Sequence, residues 1–325
     1  MNLTKKIKKP TYIIKVVSFL FLFSFGANTK IICQNYVFWD LVYSADSAFE
    51  KKSYLLAFKK YNICFKMDKR NCHFFENFAY SAVLSGDTKK CISIIKYGIK
   101  KYEIDPYHLT KDTTIKSILE LKSSSFLKNR IIKLSKYQND SLRDKLIEIY
   151  NSDQKIAIDY KMTNEERKKK NLQNMLSIVE ILDSHNWLNK RVVGIRANMT
   201  FFLVLQHSTL DYQIKYLDMM RKAVKEGNAE SYHLALLEDR IALKNGKRQI
   251  YGTQIGFEEM TGKPYVPFLV NPEEIDKRRL SVGLTPLKYY LKRWNIDWNL
   301  KLHQQEAILK DQKWVQEKKY LTFYD

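Results

Sequence analysis

The chain has little of what the common catalytic and metal-binding motifs are built from. Its four cysteines form no CxxC pair. Its six histidines, His73, His108, His185, His207, His233 and His303, show no HxxxH or HExxH spacing, so no metal site is expected. A glycine-rich phosphate loop and a G-x-S-x-G elbow are both missing, and nothing calls for a cofactor. Only ten glycines and six prolines punctuate 325 residues of which 45% are hydrophobic, which argues for a packed, mainly helical protein rather than a disordered one.

The N-terminus has a pattern of its own. Lys5, Lys6, Lys8 and Lys9 precede an apolar run from Val16 to Phe25 that is interrupted only by Ser18 and Ser24. The run falls short of the roughly 20 apolar residues of a spanning helix and reads as a secretory signal peptide over residues 1–30, with Ser24-Phe25-Gly26 as the small-x-small cleavage pattern. Cys33 lacks the small residue that a lipobox places before it, so plain export is preferred to lipidation, with an uncleaved N-terminal anchor as the alternative. No integral span is expected after cleavage. The formal net charge of +21 stays strongly basic once the leader is removed, yet its lysines are scattered among Ile, Asn, Tyr and Phe as background composition would scatter them. Nucleic acid is not expected as a partner; an anionic envelope ligand is the minority reading. Export also permits a disulfide among Cys33, Cys64, Cys72 and Cys91.

A repeat emerges after the leader. Shifting the chain by 34 residues matches Ala45 to Ala79, Ala48 to Ala82, Ala57 to Cys91, Tyr61 to Ile95 and Cys64 to Gly98, small residues recurring where two helices touch. Each unit reads as a helix pair, Val37 to Lys51 with Tyr54 to Met67, then His73 to Leu84 with Thr88 to Lys101, the second turning at Ser85-Gly86-Asp87. Residues 36–102 resemble tetratricopeptide repeats, although Lys69 stands where such repeats usually carry proline. The resemblance implies a concave face that takes a peptide or partner protein. Two such units need neighbours to cover their faces, so the less regular helices over Thr113 to Leu121, Ser125 to Lys136 and Ser141 to Tyr160 are expected to finish or cap them, with a soft domain boundary near residue 140.

A second helical domain follows, over residues 141–325. Thr163-Asn164-Glu165-Glu166 is a capping box opening a helix with Leu172, Met175, Leu176, Val179 and Leu182 as its stripe. Further helices are predicted over Val193 to His207, Asp211 to Glu226 and Ala229 to Lys244. The period then changes: Arg248 to Ile255 and Tyr265 to Val270 read as the arms of a small β-hairpin, before helices opening at Asn271-Pro272, at Pro286 and at Leu302.

Polar residues sit on apolar faces of two of these helices. Asp239 falls among Tyr232, Ala235, Leu236 and Leu243, where a carboxylate must be met by a cation or several donors. Gln206 and His207 end the Val193 to His207 helix in the same fashion. With Gln206-His207, Asp239-Arg240 and Gln249-x-Tyr251-Gly252-Thr253-Gln254 read in order, residues 150–291 resemble a bacterial domain family of unknown function marked by QH, DR and QxYGTQ. Asn271-Pro272, Asp276, Arg278, Arg279 and Gly283-Leu284 extend the resemblance, whereas Asp153-Gln154-Lys155-Ile156-Ala157 departs from its Asp-Gln-x-x-Arg and Asn186-Trp187-Leu188 from its Gly-Trp-Pro. The resemblance implies no reaction, only that three separated polar motifs belong together.

Two readings follow. One is a binding protein whose repeats and polar cleft hold a protein, peptide or cell-envelope ligand. The alternative is a hydrolase- or transferase-like enzyme, with His207 as general acid or base, Asp239 orienting it or an arginine, and Gln206, Arg240, Gln249, Tyr251, Thr253 and Gln254 holding the substrate.

Overall fold

The computed structural model describes residues 27–68, 74–101, 109, 113–134, 139–159, 161–258 and 260–307. Residues 1–26 of the expected leader, Lys69, Cys72 and the end of the helix expected from Leu302 lie outside them, as does the side chain of Cys33. The fold is mainly helical, and no described helix is long and apolar enough to cross a membrane.

Helix α1 (Ala27–Glu50) packs on α2 (Tyr54–Met67), and α3 (Phe75–Leu84) on α4 (Thr88–Lys101). All ten residues of the five matched pairs are buried, because a helix crossing at a small side chain lets the backbones approach closely. The intervening turn is built as its residues dictate: Gly86 takes φ +93°, and the Asp87 carboxylate accepts the Lys90 amide at 2.9 Å. Aromatic rings fill the space between the pairs, Tyr61 stacking on Phe74 with centroids 5.3 Å apart. Helices α5 (Thr113–Leu119) and α6 (Ser125–Leu134) close this first core with Ile115, Ile118, Leu127 and Ile131. Cys64 and Cys91 are buried in it as free thiols, pushed up to about 12 by burial, and are not bridged.

A second core begins at Leu146. It is enclosed by α7 (Asp140–Ile158), α8 (Asn164–His185), the single turn α9 (Lys190–Val193), α10 (Ile195–His207), α11 (Leu210–Lys225) and α12 (Ser231–Lys244). The capping box forms, the Glu166 amide donating to Thr163 Oγ1 and the Thr163 amide to the Glu166 carboxylate. Two expectations are corrected here. The buried face of α8 is Met175, Ile178, Ile181 and Leu182, while Leu172 and Leu176 are about half exposed, lying more than a quarter turn away at 100° per residue. The helix expected from Val193 is broken at Gly194, whose φ of +91° ends α9 and starts α10.

The hairpin shrinks to β1 (Gly256–Phe257) paired antiparallel with β2 (Pro264–Tyr265), Gly256 opposite Tyr265. Residues 248–255 are not a strand; apart from an isolated bridge of Gln249 to Leu269, they form a loop whose polar groups are taken up by side chains. A 3-10 turn (Pro272–Glu274), α13 (Ile275–Ser281), α14 (Leu287–Lys292) and a helical segment at 300–307 follow. Leu269, Ile275, Leu287 and Leu291 make a third, smaller core. Tyr289 of α14 instead enters the first core, its hydroxyl donating to the Tyr36 carbonyl at 2.9 Å. The last helices thereby seat on the first.

Candidate functional site

Asp239 has no exposed surface, and what meets it is backbone. Its carboxylate accepts the amides of Ile250 at 2.6 Å, Tyr251 at 3.0 Å and Thr253 at 2.9 Å, together with the Thr253 hydroxyl at 2.9 Å. Burial pushes this carboxyl up from the ordinary carboxylate range, and the amides and hydroxyl pull it back. The loop is thus wrapped around an acid on the helix that precedes it.

The other side of the same loop faces cations. Arg279, 1% exposed, donates to the carbonyls of Tyr251 at 2.6 Å, Gly252 at 3.1 Å and Thr285 at 2.6 Å. Arg278 takes the Ile250 carbonyl at 2.9 Å, and the Tyr290 hydroxyl takes that of Thr253 at 2.7 Å. Gln249, fully buried, braces the loop end to end by accepting the Gln254 amide at 3.0 Å and donating to its carbonyl at 3.2 Å. Every carbonyl from Gln249 to Gln254 has a donor, the first being the Val270 amide at 2.9 Å. A buried anion gathers the N–H ends and a buried cation the C=O ends, so the peptide dipoles between them offset both charges. Arg279 pairs with no carboxylate among the described residues, and burial brings it down to about 10. Gly252 stands at φ +64° against Leu269 and Leu287, where a β-carbon would lie 3.1 and 3.3 Å from their methyls.

Part of the chain matches a known family. Residues 142–303 form a DUF6624 domain, a family of unknown function. Comparison with curated proteins and with solved structures finds no match. The DUF6624 domain takes in α8 to α14, most of α7, and all the loop contacts just described.

His207 lies elsewhere in the DUF6624 domain, at the end of α10. Its Nδ1 is 2.8 Å from Asp153 of α7, and it is Asp153, not Asp239, that it bonds. The Asp153 side chain is 1% exposed and that of His207 34%, so the carboxylate is sealed while the ring reaches solvent. The Gln206 carbonyl accepts Arg240 Nη1 at 3.1 Å and Gln213 Nε2 at 2.9 Å, and the Ser208 carbonyl accepts Gln213 Nε2 at 3.1 Å and Lys244 Nζ at 3.3 Å. Burial lowers both Arg240 and Lys244, and the Arg240 charge lowers Lys244 further. Neither cation meets a carboxylate among the described residues.

Of the sequence candidates, then, Asp239, Gln249, Thr253 and Gln254 meet around the loop, while Gln206, His207 and Arg240 meet at the end of α10. Tyr251 joins the first group by its backbone; its phenol is half-buried and raised by burial. His233, beside neither, stacks on Phe202 at 4.1 Å and falls to about 4 by burial. Sequence reasoning named Asp153 only within the stretch that departs from the family pattern and did not pair it with His207, and it missed Tyr290. The signal for Asp153 was spacing: it lies seven residues after the core residue Leu146, as His207 lies seven after the buried Thr200.

A cleft of about 860 Å³ separates the DUF6624 domain from the N-terminal helices. One wall is Trp39, Tyr43, Asp46 and Glu50 of α1; the other is Tyr232 and Leu236 of α12 with Arg279, Tyr290 and Arg293. Trp39 is 3% exposed, and its indole N–H is buried without an acceptor among the described residues.

Proposed function

We propose that the protein is an exported binding protein, with tetratricopeptide-like repeats joined to a DUF6624 domain, that holds a short peptide or peptide-bearing envelope ligand in the cleft between them. The observation that carries this reading is Trp39, a cleft-lining residue whose buried indole N–H finds no acceptor among the described residues, a donor suited to a carbonyl supplied by a ligand. The rest of the lining has the same character. Aromatic faces from Tyr43, Tyr232 and Tyr290 offer area to a peptide chain, Asp46 and Glu50 suit a cationic end, and Arg293 an anionic one.

On this reading the loop motif works from behind the wall. Arg279 and Tyr290 line the cleft and hold the loop's carbonyls, while Gln254 Nε2 reaches the Leu236 carbonyl at 3.3 Å, so Gln249, Thr253, Gln254 and Asp239 set the shape of the cleft. The basic leader-like N-terminus supports export. The test is titration of the protein with size-fractionated envelope peptides, followed by tryptophan fluorescence and calorimetry. Trp39→Phe, which keeps the ring bulk and removes the donor, is expected to weaken binding about tenfold, the worth of one hydrogen bond. Equal affinity in Trp39→Phe and Glu50→Gln would remove the cleft as the binding site.

A further inference from the structure

At the end of α10, none of Asp153, His207, Arg240 and Lys244 lines the cleft. We infer that Asp153 and His207 form a general acid–base pair acting on an ester that carries an anionic group, which Arg240 and Lys244 hold.

The geometry supports a role beyond tying two helices together. Helices α7 and α10 run parallel in fixed register: Thr200 Oγ1 donates to the Leu146 carbonyl and His207 pairs with Asp153, each across the same separation of 54 residues. The helices are already joined through Leu146 and Thr200, both fully buried. The Asp153 contact adds orientation. A carboxylate on Nδ1 holds the proton on that nitrogen and leaves the Nε2 lone pair on the exposed part of the ring, where no partner among the described residues occupies it. Gln154 Nε2, 3.0 Å from the second Asp153 oxygen, keeps that carboxylate from turning.

The backbone that carries the imidazole is also held. Donors fix the carbonyls on both sides of His207, and the Ser208 hydroxyl takes that of Leu205 at 2.6 Å. Two of those donors are cations with capacity to spare: the Arg240 Nε is buried with no partner among the described residues, and Lys244 is exposed. Two cations that meet no carboxylate among the described residues, held on the carbonyls either side of the residue that carries the oriented imidazole, suit a phosphate or carboxylate group on the substrate.

The step balances as ester plus water giving acid plus alcohol. His207 Nε2 takes a proton from water as the water oxygen bonds to the electrophilic carbon or phosphorus. The ester bond breaks with its electron pair on the departing oxygen, and His207 returns the proton there. Asp153 is the positioning residue and does not gain the proton.

The test offers the full chain p-nitrophenyl phosphate, bis(p-nitrophenyl) phosphate and p-nitrophenyl glutarate, with neutral p-nitrophenyl acetate as the control. At least one anionic ester is expected to be hydrolysed faster than the acetate, and which one tells phosphoryl from acyl chemistry. His207→Asn should abolish the reaction, and Asp153→Asn should lower kcat about a hundredfold at unchanged KM. Lys244→Gln, a change at an exposed position, should raise KM for the anionic ester alone, with an unchanged melting temperature as the control. Nitrogen-15 spectra of His207, taken above the ordinary imidazole pKa, should place the proton on Nδ1 in the wild type and lose that preference in Asp153→Asn. Turnover of none of the anionic esters, turnover that survives His207→Asn, or a wild-type proton on Nε2 would each overturn the inference.

Discussion

Asp239 shows how one side chain can organise a segment that has no regular structure of its own. Its carboxylate serves three amides and a hydroxyl, and each of those donors would be left unpaired in a buried place without it. Replacement by asparagine keeps the size but turns one acceptor into a donor facing other donors. Asp239→Asn is therefore expected to cost about 3 kcal/mol or more, whereas Thr253→Val, which removes only the hydroxyl, should cost about 1 kcal/mol. Urea unfolding monitored by circular dichroism measures both; equal losses would mean that the amides contribute nothing. That Asp239 is buried could be read from its place on a helical wheel. What meets it could not, because backbone amides are present at every position and leave no mark in the sequence. The acid was legible and its partners were not.

At the scale of elements, the same contrast decides where sequence patterns held. The small residues of the first two helix pairs mark packing surfaces directly, and all are buried. The capping box at Thr163 is local chemistry and forms as written. Residues 249–253 mimic a strand because their side chains nearly alternate, yet Gln249 bonds back to the loop and to the Pro267 carbonyl, and Thr253 and Gln254 to the preceding helix, rather than facing one side of a sheet. Two glycines provide a measure of how tightly that loop is held. Gly246 and Gly252 both have φ near +65°, but only Gly252 faces side chains, while a β-carbon at Gly246 would meet nothing. Alanine at either carries the conformational cost of about 1 kcal/mol. Gly252→Ala should lose a further 1–3 kcal/mol against Leu269 and Leu287, the range for overpacking. Melting temperatures of the two variants give the difference; if they match, the loop yields more readily than its contacts imply.

Across the whole molecule, the two halves are joined by α14. Tyr289 occupies the first core, Tyr36 donates to Asp276, and Lys288 lies 4.4 Å over the Tyr36 ring. The helices that line the cleft on one side are thus held by the element that lines it on the other. The wild type is expected to unfold in one cooperative transition. Tyr289→Ala, which empties a buried aromatic site, should cost about 3–5 kcal/mol and separate the transition into two when near-ultraviolet and far-ultraviolet signals are compared. A single transition in the variant would show that the halves are coupled by other contacts.

The interlocked loop also bears on the order in which a ribosome delivers these residues. Asp239 can gather the amides of Ile250, Tyr251 and Thr253 as soon as they emerge, but the carbonyls beside them await Arg278, Arg279 and Tyr290, and Tyr36 awaits Tyr289. The contact of the first helix with Tyr289 closes across 253 residues. Until that segment arrives, the loop's carbonyls lack these donors and the first core lacks the Tyr289 ring, so neither half closes before the other is nearly complete.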